Sequence, residues 1–352
     1  MGTDLLPGAG KLAELERLLP RATTVAAVAE ACLAARDLAR EMERERCGAA
    51  VIMRMLSLFN DEALRAVLRL VGGRHVLPPA EWCWLGFGSE GRMEQTLATD
   101  QDNGIVFAAT DDGEARALRE RFVPFAAEVN RALADCGFPL CDGEVMASNP
   151  KWCLSLSEWC ECFDRWIRTP EPEALLNATI FFDFRALAGQ ARLAAAMRDH
   201  LAEAVRGRDI FLRMMAENAL LASPPLGHLR DFSVGSGGKG EIDIKKFGSR
   251  LFVDAARILA LATGVGAPST IERLRASARG GALRGDEAEA SVGAFCALQE
   301  IRIRAQVESP AGSANRVAPA ALNPFDRRVL LEALRNARAL QRMLKIRFQM
   351  HH

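Results

Sequence analysis

Gly86-Phe87-Gly88-Ser89-Glu90-Gly91-Arg92, followed closely by Thr99-Asp100-Gln101-Asp102-Asn103-Gly104-Ile105-Val106-Phe107, is the stretch on which the reading of this chain turns. Upstream, Trp82-Cys83-Trp84-Leu85 has the unbroken apolar character of a short buried strand and stops at Gly86. Glu90 to Leu97 has the composition of a short helix, and the apolar run after Asp102 reads as a second strand. Residues i and i+2 of a strand share a face, about 6.5 to 7 Å apart, so Asp100 and Asp102 can converge on one cation. Two hard carboxylates suit Mg²⁺, which fills its other positions with water and phosphate. Gly88 and Ser89 fall at the expected helix start, where backbone N–H groups and the dipole favour anions. Gly88 permits close approach, the Ser89 hydroxyl adds a donor, and Arg92 can offer its fork to a phosphate oxygen. These are the parts needed to hold a nucleoside triphosphate and its magnesium.

Each part also has a plainer explanation. A solvated acidic turn accounts for two aspartates alone, but not for the glycine-serine bend ahead of them. An EF-hand loop fails on register, because its sixth position would be Ile105 instead of glycine. A P-loop fails because no glycine is followed by Lys-Ser or Lys-Thr at the required spacing. Arg92 could equally be a surface residue paired with a nearby acid. Gly235, Gly237 and Gly240 formally match a dinucleotide fingerprint, yet no clear strand precedes them, and a loop is the simpler reading. The adjacent Lys239, Lys245, Lys246 and Arg250 form a basic cluster that suits either an anion site or a solvated helix start.

Gly-Ser followed after ten residues by Asp-x-Asp resembles the signature of the polymerase-β-type nucleotidyltransferase superfamily. The fuller string from Gly88 to Asn103 is similar to one branch, the nucleotidyltransferases related to the N-terminal part of the PII-protein uridylyltransferase. Val145-Met146-Ala147-Ser148-Asn149-Pro150-Lys151-Trp152, Phe182-Asp183-Phe184-Arg185 and Ile242-Asp243-Ile244-Lys245 look like further pieces of that pattern, the last two in its substrate-binding region. The resemblance runs over roughly residues 45 to 350. It implies metal ligation by Asp100 and Asp102, and nucleotide binding by Gly88, Ser89, Gly91, Arg92 and Lys151. The superfamily commonly adds a third carboxylate from a neighbouring strand. The candidates are Asp142 and Glu144, which share a face if that stretch is extended, with Asp142 preferred.

The rest of the chain supplies the frame. Residues 11–20, 24–46 and 49–71 carry helical periodicity and form a leader, 1–74, that packs on the catalytic part. A nucleotidyltransferase-like domain, 75–170, follows, with a long helix over 114–136 and a strand expected over 138–147. Thr169-Pro170-Glu171-Pro172 marks the boundary to a helical substrate-binding domain, 171–352, with helices over 173–185, 190–222, 249–263, 269–279, 284–307 and 323–348. Trp159, Phe163 and Trp166 sit at helical spacing and read as a packing face. The expected class is therefore α+β: a small mixed sheet with a helical leader, then an all-α bundle.

Lys plus Arg and Asp plus Glu both total 45 in 352 residues, so the formal net charge is zero. A nucleic-acid binder would need a basic stripe, so no nucleic-acid partner is expected. Nine cysteines include Cys136, Cys141, Cys153, Cys160 and Cys162, but their spacing fits no zinc pattern and reads as buried thiols in a reducing compartment. No apolar stretch suits a membrane span and no signal peptide is evident, so a cytoplasmic location is expected. The terminal His351-His352 pair is assigned nothing. The expected activity is Mg²⁺-dependent transfer of a nucleoside monophosphate to an acceptor hydroxyl. The resemblance implies UTP or ATP as donor and a small PII-like signalling protein as acceptor. The competing expectation is a regulatory module that senses Mg-nucleotide without turning it over.

Overall fold

A computed structural model describes residues 9–227, 232, 240–308 and 315–350. The chain divides into two compact units: Met1–Cys47, Val51–Arg165 and Asn177–Leu201 form the first, and Gly48–Ala50, Trp166–Leu176 and Ala202–His352 the second.

The first unit is built on a four-stranded mixed sheet. Its strands are β1 Trp82–Gly86, β2 Asn103–Phe107, β3 Cys153–Ser155 and β4 Arg185–Gly189, in the order β3-β2-β1-β4. β1 is antiparallel to both β2 and β4, while β2 and β3 run parallel. Helices α1 Ala9–Leu18, α2 Val25–Arg44 and α3 Ala49–Gly72 precede the sheet. The four-residue α4, Gly88–Gly91, lies between β1 and β2, and α5, Asp112–Asp135, follows β2. Local chemistry sets the helix starts: the Thr24 hydroxyl accepts from the Ala27 N–H, and the Asp111 carboxylate from the Glu114 N–H. Trp84, Ile105 and Phe107 join one core cluster with Phe59 and Val67 of α3 and Phe122 and Phe125 of α5. The alternate residues Cys83, Leu85 and Val106 are equally buried, so both sheet faces are covered and the strands carry unbroken apolar runs. Trp159 and Phe163 of α6, Leu156–Arg168, are fully buried and pack with Phe87 and Phe181 as a packing face.

The second unit is helical, apart from a two-stranded ribbon of β5 Ile242–Asp243 and β6 Arg316–Val317. The helices wholly within it are α9 Asp209–Ala219, α10 Arg250–Thr263, α11 Thr270–Arg279, α12 Gly285–Glu308 and α13 Pro324–Arg347. A single π-helical turn, Lys245–Ser249, leads into α10. Lys245 and Lys246 are exposed and Arg250 pairs with Asp254. Gly235, Gly237 and Lys239 lie outside the described residues, as do His351 and His352. Among the described residues no helix is long and apolar enough to cross a membrane.

The α+β class stands as the sequence predicts, with four local corrections. Residues 138–147 form a loop, not a strand: Pro139 and the Asp142-Gly143 turn interrupt it, and Glu144 takes a left-handed φ of 54°. The short helix stops at Gly91, because Met93 also turns left-handed, at φ 57°. Residues 190–222 are two helices, α8 Ala191–Val205 and α9, parted at Gly207 with φ 71°. Finally, Arg185–Gly189 pairs with β1 and so belongs to the sheet, beyond the boundary placed at 170. Its alanine- and leucine-rich composition favours helix, and only cross-strand pairing makes it a strand.

Gly104 sits where β2 is most crowded: an added Cβ would lie 2.8 Å from Phe87 Cε2 and 2.8 Å from the Trp152 carbonyl oxygen. Gly104→Ala should cost about 1–3 kcal/mol in urea unfolding. Gly293→Ala, on an exposed part of α12 with nothing within 4 Å, should instead be neutral or stabilise by up to about 1 kcal/mol. Equal effects from both would refute this account of the crowding.

Candidate active site

The glycine-serine turn and the acid pair are held together by backbone. The Phe87 N–H donates to the Asp102 carbonyl at 2.8 Å, so the turn begins where the acids end. Gly88 follows with φ 53°, and a Cβ there would stand 3.0 Å from Asp102 Oδ2. The turn then closes through the Gly91 N–H to the Phe87 carbonyl and the Arg92 N–H to the Gly88 carbonyl. The first-turn amides of Gly88, Ser89 and Glu90 have no intrahelical acceptor, and no side chain caps the turn. Four residues carry only a small dipole, so anion affinity here rests on individual N–H groups. Gly91 is required by close approach: its Cβ would fall 2.1 Å from the Asp183 carbonyl oxygen.

The string Asp100-Gln101-Asp102-Asn103 alternates in function. Asp100 and Asp102 precede β2 instead of lying within it, yet they keep the i, i+2 relation and both stay half-buried. Gln101 and Asn103 point the other way and are buried. Asn130 of α5 donates to Gln101 Oε1 at 2.7 Å and to Asn103 Oδ1 at 3.0 Å. The Gln101 side-chain amide donates to the carbonyls of Asn130 and Phe138. The Asn103 carboxamide oxygen also accepts from the Ala147 N–H, and Asn130 Oδ1 from the Ser148 N–H. This amide network fixes the lead into β2 and ties the 138–148 loop against it.

That loop brings a thiol, not a carboxylate, to the acids. Asp142 and Glu144 are exposed on a loop instead of the strand that would align them, and the group of possible ligands formed at the acid pair does not include them. Cys141 is there instead. Among the described residues, Asp100, Asp102 and Cys141 form a group whose ligand atoms all lie within 4.8 Å of one another. Cys141 Sγ is 3.4 Å from Asp102 Oδ1. Burial, then the charge of Asp102, push its thiol up to about 11, so it donates to the carboxylate. Asp100 and Asp102 thus offer a pair of hard oxygens that could hold a divalent cation, beside which the thiol is a soft donor. The cysteine spacing gave no hint of this, because only the loop fold brings Cys141 to the acids.

Arg92 is engaged elsewhere. Nε donates to Glu94 at 2.8 Å and a terminal nitrogen to Asp183 at 2.7 Å, both acids being buried. It is a largely buried brace for the turn, its charge paired with these two acids. Phe182-Asp183-Phe184-Arg185 likewise belongs to this site's frame and not to the helical unit. Arg185 forms a bidentate pair with Asp61 at 2.5 and 2.7 Å and donates from Nε to the Glu90 carbonyl. Lys151 is exposed on the 3₁₀ turn Pro150–Trp152, and Ser89 is half-buried in α4.

Glu90 was not singled out by sequence as a site residue. With Asp100, Asn60, Gln95 and Trp84 it lines a small cavity, and Trp84 Nε1 is buried with no acceptor among the described residues. Gly86 makes way for its stem, since a Cβ there would lie 2.7 Å from Glu90 Cγ. Burial holds the Glu90 carboxyl well above the usual carboxylate range, reinforced by Asp61, opposed by Arg185, and raised further by Asp102 and Asp100.

A small mixed sheet, with a glycine-serine turn between its two central strands and paired acids leading into the second, is the architecture of a nucleotidyltransferase domain. The family model described as "Putative nucleotidyltransferase DUF294" matches residues 34–173. Its companion, "Putative nucleotidyltransferase substrate binding domain", matches residues 209–348. The chain belongs to this nucleotidyltransferase family. A comparison with curated proteins finds no match.

The Glu90 environment has a pH consequence. With its folded pKa raised, the native state keeps a proton that the unfolded chain releases above about 4.5, so stability falls as pH rises from there. Glu90→Gln should remove that loss, and its advantage over the native protein in urea midpoint should widen from pH 5 to pH 8. A gap that stays constant across this range would show that the carboxyl titrates normally.

Proposed function

We propose that this chain transfers a nucleoside monophosphate from UTP or ATP to an acceptor hydroxyl, with Mg²⁺ as cofactor. The observation that carries this reading is the convergence of Asp100 and Asp102 beside Gly88, where an added Cβ would crowd Asp102 Oδ2. Asp100 and Asp102 hold the ion. When bound, Mg²⁺ polarises the α-phosphate and offsets the charge of the leaving pyrophosphate. The amides of Gly88 and Ser89 and the Ser89 hydroxyl bind phosphate oxygens, and Lys151 adds an exposed cation. Gly91 and Arg92 serve by fixing the turn, so the protein's contribution is mainly alignment. The acceptor oxygen bonds to the α-phosphorus, the α–β phosphoanhydride bond breaks, and the acceptor proton passes to water. The helical unit selects the acceptor, for which a small PII-like signalling protein in the cytoplasm is our candidate. No nucleic acid takes part.

A second reading, a nucleotide sensor without turnover, is favoured by one observation: Asp142 and Glu144 do not join the acid pair. Labelled triphosphates incubated with the protein, Mg²⁺ and a cell extract separate the two. Label transfer that disappears in Asp100→Asn supports the enzyme, and nucleotide binding without transfer or pyrophosphate release supports the sensor.

Asp102→Ala should reduce turnover by about a thousandfold or more. Its melting temperature should stay level or rise, because the change relieves repulsion between the neighbouring carboxylates of Asp100 and Asp102. A marked loss of thermal stability would instead make Asp102 structural. Ser89→Ala should weaken triphosphate affinity by roughly 1 kcal/mol, or about fivefold, and unaltered affinity would remove Ser89 from the phosphate site.

A further inference from the structure

We propose that Asp100, Asp102 and Cys141 form a two-oxygen, one-sulfur centre that takes a thiophilic divalent cation such as Zn²⁺ or Co²⁺, and that this ion competes with Mg²⁺ for the acid pair. The inference rests on the proposed function for its second half only. Cys141 is positioned by backbone bonds on both sides. The Gln101 N–H donates to the Pro139 carbonyl and the Asn103 N–H to the Val145 carbonyl, each at 3.0 Å, while the Glu144 N–H closes a turn onto the Cys141 carbonyl at 2.9 Å. Gln101 also binds the Phe138 carbonyl through its side chain at 2.8 Å. The thiol is therefore held beside the acids by the same amides that orient them. Three donors within 4.8 Å of one another, with no Cβ at Gly88 to crowd Asp102 Oδ2, suit a site in which three protein ligands leave a position for water or substrate.

The donor set decides between cations. Mg²⁺ uses the two carboxylates and leaves the sulfur uncoordinated, whereas Co²⁺ and Zn²⁺ gain a third, soft ligand. On binding, the S–H bond breaks, a metal–sulfur bond forms and one proton leaves to solvent. The carboxylates then serve an ion that Mg²⁺ must displace, and the centre responds to the ratio of the two metals.

Cobalt titration of the full chain tests this by absorption spectroscopy, with Mg²⁺–nucleotide binding followed separately by calorimetry. The native protein should show a near-ultraviolet sulfur-to-cobalt charge-transfer band that Zn²⁺ abolishes. Cys141→Ser should lack the band and bind Co²⁺ about tenfold more weakly or worse, while its Mg²⁺–nucleotide binding stays within about twofold, which also reports that it is folded. Cobalt binding without the band, or a band that survives in Cys141→Ser, overturns the inference and leaves the proposed function standing. A Cys141-dependent band with no Mg²⁺–nucleotide binding in the native protein supports the thiol centre and removes the proposed function.

Discussion

The contact on which the site depends is the 2.8 Å hydrogen bond from the Phe87 amide to the Asp102 carbonyl, made possible by the bare Cα of Gly88 beside the Asp102 carboxylate. It joins the end of β1 to the start of β2 across a connection too irregular to be positioned by secondary structure. The neighbouring glycines serve the same closeness. Gly91 lets the turn meet the Asp183 backbone, and Gly86 makes way for the Glu90 stem. Arg92 and Arg185 then brace the turn through Asp183, Glu94 and Asp61. A turn of four residues has little intrinsic stability, so this surrounding frame is what gives it a single geometry.

The same frame concentrates negative charge. Asp61, Asp102 and Asp100 all raise the proton affinity of Glu90, and Arg185 is the cation that opposes them there. Such an arrangement costs folding free energy, visible in the proton that Glu90 retains, and it persists because the fold around it is rigid. Fully buried Trp84, Phe107, Phe122 and Phe125 supply that rigidity on one side of the sheet, and Phe87, Trp159 and Phe181 add to it near the turn.

Much of this was legible in the sequence, for identifiable reasons. β1 and β2 announce themselves by unbroken apolar runs, the long helices by their periodicity, and the turn by glycines at fixed spacing from two acids. The pairing of Asp100 with Asp102 follows from i, i+2 geometry alone, even though both residues precede the strand. What was not legible depends on contacts distant in sequence. β4 has a helical composition and is a strand only because β1 is beside it. Cys141 reaches the acids through a loop pinned by Asn130, Gln101 and Asn103, whose amides look like ordinary polar residues in sequence. Arg92 matches a phosphate-binding pattern, and only the burial of Glu94 and Asp183 reveals where its charge goes. Residues 138–147 have the apolar content of a strand, but Pro139 and the left-handed Glu144 deny them its geometry.

The reassignment of Arg92 bears on how a nucleotide can bind at all. On the proposed reading, a triphosphate approaches two aspartates with neutral N–H donors as its nearest partners, and the guanidinium one turn away is already committed to two buried acids. Like charges a few ångströms apart in a partly desolvated site repel by several kcal/mol, more than a few amide hydrogen bonds return. Nucleotide alone is therefore a poor ligand for this arrangement. On that reading the cation and the triphosphate enter together, the metal offsetting part of the phosphate charge, with the acids holding the metal and the turn holding the phosphates. That coupling also bears on Cys141: toward Mg²⁺, which leaves the sulfur uncoordinated, a neutral thiol in place of a third carboxylate lowers the negative charge around the ion by one unit. It shifts the balance from holding the metal tightly toward letting the phosphates complete its coordination.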